Sequence, residues 1–235
     1  HGSSEAYRGA KLRLFDTILP EGGIAAINAD MDPTTSAALR DVALRRNLIL
    51  RTTGTQGETV KLLEARPTPT GQVLHVATPA GQREVTVPLV GRFQVDNLLL
   101  AAAMAGETEA SVDHAIDLLP RLHGVRGRME RVAVLPSGAA AYVDFAHTPD
   151  AIERLLQSLR PHTQGRIIIV MGAGGDRDRG KRPVMGATAT RLADRVIVTD
   201  DNPRSETPAA IRADIMAAAP GALEIGDRRQ AIATG

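Results

Sequence analysis

The 235-residue chain has no cysteine and no tryptophan, and aromatic residues make up only 2% of it. Without cysteine there is no disulfide, no thiolate metal site and no cysteine nucleophile. The scarcity of rings leaves the core to Ala, Val, Ile and Leu, which suits α/β packing. It also argues against a surface that stacks nucleic-acid bases on aromatics. Charge of one sign is missing as well: 28 Lys and Arg stand against 27 Asp and Glu, so no long-range field draws in polyanions. No apolar run approaches the ~18 residues of a membrane span. The opening His1-Gly2-Ser3-Ser4 is not a signal peptide and carries no initiator Met. Residues 230–235 stop inside what reads as a helix, so the chain is expected to be a fragment of a longer one. What is present is a hydrophobic share of 43%, enough for a sizeable core in one large domain or two small ones.

Residues 4–19 read as a helix with Tyr7, Lys11, Leu14, Phe15 and Ile18 on one face. Lys11, centred on that stripe, admits two readings. Its amine snorkels to water, or it is held partly desolvated, which lowers its pKa and lets the neutral amine take up carbon dioxide as a metal-binding carbamate. Ile24–Asn28 and 47–51 read as strands around a helix at 33–45 that starts on Asp32-Pro33. Three strands at 60–64, 73–77 and 85–89, joined by Pro/Gly turns, read as a meander. Gly91-Arg92-Phe93-Gln94-Val95-Asp96-Asn97 then opens an apolar helix over 98–105, with Asn97 at its start as an N-cap or a reader of a base edge. Another helix covers 111–120. The Gly- and Arg-rich connector 124–130 marks a domain boundary.

Beyond it, strands at 141–147, 166–171, 195–199 and 223–225 alternate with helices at 149–159, 183–192 and 208–218. That alternation predicts a parallel sheet with helices on its faces. The stretch Thr199-Asp200-Asp201-Asn202-Pro203-Arg204-Ser205-Glu206 lies at the carboxyl end of a strand, where open α/β sheets bind ligands. Thr207 and Pro208 read as the N-cap and first residue of the helix that follows. Gly172-Ala173-Gly174-Gly175-Asp176-Arg177 is a poor dinucleotide fingerprint, since its third glycine position holds Arg177. Arg177, Arg179, Lys181 and Arg182 instead suggest a loop that grips an anion from outside, or a merely solvated basic loop. Arg177 and Arg204, at the ends of two strands, make a plausible carboxylate clamp. Asp201 and Asn202 beside them can accept hydrogen bonds from an ammonium group. Asp144 ends a strand and suits ribose hydroxyls. His147 reads as a local hydrogen-bonding residue, and Arg128 in the connector can contact phosphate.

In order and at fitting spacing, several stretches resemble the Mur ligases of peptidoglycan synthesis. They are His1-Gly2 with Glu5-Ala6-Tyr7 and Ala10-Lys11, then 91–97, 127–130, 142–151, 175–183 and 200–206, spanning nearly the whole chain. The last two are specific to the members that add diaminopimelate. The resemblance implies an α/β chain holding the second part of the central ATPase domain (1–126) and a truncated Rossmann-like C-terminal amino-acid-binding domain (127–235). It implies that Lys11, carbamylated, is catalytic and helps hold Mg2+, that Asn97, Arg128 and Asp144 bind ATP, and that Arg177, Asp201, Asn202, Pro203 and Arg204 bind meso-diaminopimelate. Arg204 would meet the distal carboxylate and select against lysine. The reaction implied is ATP-dependent amide formation on UDP-N-acetylmuramoyl-L-alanyl-D-glutamate through an acyl phosphate, in a cytoplasmic monomer with no nucleic-acid partner. Lysine-adding and folate polyglutamate ligases of the same superfamily, and a non-catalytic nucleotide-binding module, are the alternatives. Gln94 departs mildly from the family, which commonly has Asn there. No Gly-x-x-Gly-Lys-Thr phosphate loop occurs in these residues. The family places it upstream and its Gly-Lys-Gly-His-Glu run downstream, so the 235 residues alone are expected not to make the amide.

Overall fold

The computed structural model describes residues 3–106 and 108–235. The His1-Gly2 start of the first family-like stretch lies outside the described residues. The chain divides into two units, His1–His123 and Gly124–Gly235.

In the first unit, helix α1 (Ser4–Arg13) runs into a single π-helical turn over Leu14–Ile18. Strands β1 (Ile24–Asn28) and β2 (Ile49–Gly54) pair in parallel, connected by helix α2 (Pro33–Arg45). Asp32 caps α2 by accepting the Thr35 N–H, and Pro33 takes the position where a missing N–H costs nothing. Strand β3 (Val60–Thr68) pairs with β2 only at Thr53↔Val60 and Gly54↔Lys61. A link of residues 55–59 is too short for the crossover that a longer parallel ladder needs. Strands β4 (Gly71–Thr78) and β5 (Gly81–Val87) complete an antiparallel meander, giving the order β1-β2-β3-β4-β5. Alternate residues Val60, Leu62, Leu74, Val76, Val85 and Val87 point to one face. There they bury against Val95, Leu98, Leu99 and Ala102 of α3 (Arg92–Met104) and Val112 and Ile116 of α4 (Glu109–Leu118). Buried Arg51 of β2 donates to the carbonyls of Ala103 and Gly106 at the end of α3, satisfying groups the helix cannot pair itself.

The second unit begins with a hairpin, β6 (Glu130–Val134) and β7 (Ala140–Val143). Its core is a parallel sheet of β8 (Ile168–Met171), β9 (Arg195–Val198) and β10 (Leu223–Glu224), in the order β10-β9-β8. Helices α5 (Pro149–Leu159), α6 (Lys181–Leu192), α7 (Pro208–Met216) and α8 (Arg228–Thr234) alternate with those strands. Ile152 and Leu156 of α5 and Met185 and Ala189 of α6 pack with Ile167, Ile169, Met171, Val196 and Val198, the all-aliphatic core that the composition requires. Gly186 lets α6 approach α7, since a Cβ there would stand 2.3 Å from the Ile215 carbonyl oxygen.

Several expectations change, among them that the strand near 141 joins the parallel sheet: it pairs antiparallel with β6 instead. The apolar helix starts at Arg92 and not at 98, so Asn97 lies in its second turn and caps nothing. The strand expected over 141–147 ends at Val143, because Asp144 turns its carboxylate back onto the backbone N–H groups of Met129 and Ala146. Thr207 stands at the start of α7 but caps it through its backbone carbonyl, its hydroxyl making no capping bond. The helix expected over 4–19 is α1 followed by the π-helical turn, and its apolar stripe is largely open: Tyr7, Leu14 and Ile18 are 49%, 53% and 65% exposed, and Phe15 is half-buried.

Candidate functional site

Strands β8 and β9 pair from Ile168↔Arg195 to Met171↔Val198, so their carboxyl ends deliver residues 172–180 and 199–207 side by side. The glycines of the first loop let the two backbones touch. A Cβ on Gly172 would stand 2.5 Å from the Thr199 carbonyl oxygen, and one on Gly175 only 1.8 Å from that of Pro203. The Gly175 N–H donates to the Asn202 carbonyl at 2.9 Å. The glycine run is thus spent on loop-to-loop contact, not on a pyrophosphate nest.

Arg204 occupies the left-handed region, with φ of 48°. Its N–H donates to Asn202 Oδ1 at 3.2 Å and its Nη1 to the Gly175 carbonyl, while the residue remains exposed. Arg177, on the facing loop, is exposed and makes no ion pair among the described residues. Asn202 is exposed, and Asp201 is exposed with Oδ1 accepting the Asn202 N–H at 2.8 Å. Arg177 and the run Asp201 to Arg204 therefore share one sheet edge. Asp200, by contrast, is committed to structure: its carboxylate meets Arg212, which also donates to Glu224 at 2.8 Å, and Arg228 holds its carbonyl.

The basic loop is not a uniform outward grip. Arg182 sits in the first turn of α6, which starts two residues earlier than expected, and its side chain is 2% exposed. Its guanidinium donates to both oxygens of Glu206, at 2.7 and 2.9 Å, and to Asp214 at 3.0 Å. Arg179 lies 3.6 Å from Glu206, and Lys181 pairs with Asp178 at 3.6 Å. The Asp176 N–H donates to Glu206 at 2.7 Å, and the Asp176 carboxylate accepts the Ser205 hydroxyl at 2.6 Å and its N–H at 3.2 Å. Nothing in the sequence marks Asp176, Arg182, Ser205, Glu206 and Asp214 as a linked set. Arg182 is 24 and 32 residues from its two acids, which leaves no local signal beyond the acid two places after Arg204.

The Arg182 guanidinium, helped by the Asp176 N–H, holds the Glu206 carboxyl down to about 2. The sign follows from a native value below the ordinary 4.5. The stabilisation is complete above the ordinary value and is lost as pH falls toward 2. Glu206→Gln is expected to flatten the fall in unfolding free energy between pH 5 and about 2.5, measured by denaturant titration at each pH. An unchanged slope would mean that the pair is not formed.

The connector and the hairpin form a second cluster. Gly127, with φ of 69°, lies so close to Phe145 that a Cβ would stand 2.2 Å from its ring. Phe145 N–H donates to the Gly127 carbonyl, and Met129 N–H donates to Asp144 at 2.9 Å. These bonds bring Arg128 and Asp144 together. Arg128 is exposed, its guanidinium carbon 5.8 Å from the Phe145 ring centroid. His147 Nδ1 pairs with the Phe145 carbonyl at 2.9 Å, the local role expected of it.

Lys11 and Asn97 belong to the first unit. Lys11 is exposed, its amine 4.4 Å from the Tyr7 ring centroid, which favours the snorkelling reading over the desolvated one. Asn97 is exposed on α3. The start of α3 is anchored by Asp30, a residue for which the sequence holds no signal. Its carboxylate accepts from Thr55 N–H and Oγ1, Gln56 N–H and Arg92. Burial pushes the Asp30 carboxyl up, but these bonds outweigh it and hold it below the usual range. No group of three or more His, Asp or Glu side chains among the described residues converges as a cation site.

The chain, two successive α/β units of which the second is built on a parallel sheet, belongs to the Mur ligase family. Residues 1–105 match the Mur ligase middle domain, and 127–235 match the Mur ligase glutamate ligase domain. The chain is 52% identical, over 99% of its length, to the UDP-N-acetylmuramoyl-L-alanyl-D-glutamate–2,6-diaminopimelate ligase of Caulobacter vibrioides and covers 47% of that protein. It is 50% identical to the ligase of the same name from Mesorhizobium japonicum, over 99% of this chain and 48% of that one. A solved structure of a ligase of that name superimposes with a TM-score of 0.66 at 35% identity, covering 99% of this chain and 48% of that one. The chain thus spans about half the length of the relatives it matches. A MurF structure from Acinetobacter baumannii, with a TM-score of 0.72 at 21% identity over 99% of this chain and 49% of its own, shares the fold.

Proposed function

We propose that the chain is the amino-acid-binding half, with part of the nucleotide site, of a ligase joining meso-diaminopimelate to the D-glutamate side-chain carboxylate of UDP-N-acetylmuramoyl-L-alanyl-D-glutamate. One observation carries this reading: Arg204, held left-handed and exposed at the carboxyl edge of β8 and β9, shares that edge with Arg177, Asp201 and Asn202. Two guanidinium groups with an acid and an amide on the same edge suit a ligand bearing two carboxylates and an ammonium. Relatives named as diaminopimelate-adding ligases in six organisms, at 48–52% identity, agree with it.

In this reading residues 1–126 belong to the central ATP-binding domain and 127–235 to the amino-acid-binding domain. Arg128 and Asp144 are brought together and fit a nucleotide. The Arg128 residue is exposed, as a phosphate contact requires, and Asp144, whose carboxylate accepts the Met129 and Ala146 N–H groups, suits a ribose hydroxyl. The exposed Asn97 amide is available to a base edge. Lys11 has an accessible amine and, as a carbamate, would give Mg2+ one anionic ligand; the ion would supply charge neutralisation at the transferring phosphoryl group. Pro203 and Arg204 place the distal carboxylate, while Arg177 and Asp201 orient the attacking amino acid. The enzyme works as a cytoplasmic monomer. No helix among the described residues is long and apolar enough to cross a membrane.

Phosphate release from ATP by the full-length enzyme, with the UDP-dipeptide present, tests this. Diaminopimelate is expected to exceed lysine, which lacks the second carboxylate, by roughly a hundredfold or more in kcat/KM. The 235-residue chain alone is expected to release none, since it contains no Gly-x-x-Gly-Lys-Thr loop. Equal use of lysine would overturn the substrate, and turnover by the isolated chain would overturn the division of labour.

A further inference from the structure

We propose that Arg182, Glu206 and the Asp176–Ser205 pair are positioning residues that set the carboxylate selectivity of Arg204, an inference that rests on the reading of the pocket above. Arg204 and Asp176 are non-glycine residues with φ of 48° and 53°, a conformation that persists only where surrounding structure imposes it. The two face each other across the paired loops, and the bonds that impose it are visible. Ser205, next in the chain after Arg204, is held at both its N–H and its hydroxyl by Asp176. Glu206, one residue on, is held at its carboxylate by the Asp176 N–H and by Arg182, and its own N–H donates to the Pro203 carbonyl at 2.9 Å. On the other side, Asn202 Oδ1 accepts the Arg204 N–H.

Arg204 is thus fixed before and after its own Cα, and it cannot return to an ordinary conformation without breaking a bond to the facing loop. Arg182 and Asp214 stand behind this brace. With a side chain 2% exposed, Arg182 cannot be a ligand contact and acts only through the Glu206 loop. The cluster therefore converts a flexible exposed arginine into one aimed in advance. Pre-aiming matters most for a fork that must meet both oxygens of one carboxylate, because a bidentate contact tolerates little misdirection. It matters little for lysine, which has no distal carboxylate to misplace.

The test uses the full-length enzyme with Glu206→Gln, Ser205→Ala and, as reference, Arg204→Ala, each compared with the parent by KM and kcat for diaminopimelate, lysine and ATP and by thermal unfolding. For Ser205→Ala and Glu206→Gln, KM for diaminopimelate is expected to rise about tenfold. The KM for ATP should stay within about twofold, and the diaminopimelate-to-lysine ratio of kcat/KM should fall about tenfold. Ser205→Ala removes one exposed hydroxyl and keeps the test decisive if Glu206→Gln does not fold. Should both variants lose thermal stability while keeping the parent ratio, the cluster is structural only and the proposal is wrong. Should Arg204→Ala abolish the preference while neither brace variant moves it, the positioning role fails and the pocket stands. Should Arg204→Ala leave the preference intact, the pocket itself is misassigned and the positioning role falls with it.

Discussion

Replacing Arg204 by Ala in the full-length enzyme lowers kcat/KM for meso-diaminopimelate by roughly thirty- to three-hundredfold, while KM for ATP changes by no more than about twofold. The size follows from the charge pair that Ala cannot make. Truncating one partner of a hydrogen-bonded charge pair costs about 2–5 kcal/mol, and each ~1.4 kcal/mol is a factor of ten. Arg204 is exposed, so the unpaired carboxylate of the ligand recovers some water, which keeps the expected loss in the lower part of that range. The selectivity between the two substrates follows from geometry: the altered side chain lies on the edge formed by β8 and β9, whereas Arg128 and Asp144 are held by the β6–β7 hairpin and its connector. Arg204→Gly separates charge from backbone strain, since glycine accepts a φ of 48° at little cost. It should be as defective as Ala toward diaminopimelate while restoring any stability that Ala loses. Equal losses toward ATP and diaminopimelate would contradict the assignment.

The largest effect on stability is expected from Arg182→Met. Methionine matches the apolar stem but not the guanidinium, so the buried group that holds two carboxylates disappears. Removing one member of a buried ion pair costs roughly 3 kcal/mol. For a unit of 112 residues, Gly124–Gly235, this lowers the unfolding midpoint by roughly 10–20 °C. Hydrogen exchange should localise the loss to residues 172–182 and 199–216 and leave β3 to β5 unaffected. A midpoint shifted by under about 2 °C would mean that Glu206 and Asp214 are as well served by water and Arg179 as by Arg182.

The elements read correctly from sequence are those with local punctuation. Asp32-Pro33 and Thr148-Pro149 fix the starts of α2 and α5 because both signals act within one turn. The start of α3 escapes such a reading because Gly91 caps it with φ of 95° and no side-chain bond, so no residue type marks the boundary. The carboxyl edge is legible, since Arg177, Asp201, Asn202 and Arg204 closely follow apolar strands. The brace behind it is not. Arg182 reads as one more cation in a basic loop until the pairing of β8 with β9 brings Glu206 alongside. Lys11 shows the opposite limit: helical period places it on an apolar stripe, but period cannot say how much of the stripe is covered, and Tyr7, Lys11, Leu14 and Ile18 are exposed.

The most direct test is a structure of the full-length enzyme with meso-diaminopimelate bound. The distal carboxylate is expected within about 3 Å of the Arg204 guanidinium, with Arg204 still left-handed and the Arg182–Glu206 pair intact. A distal carboxylate bound elsewhere, with Arg204 turned to solvent, would contradict the assignment of this edge as the amino-acid pocket.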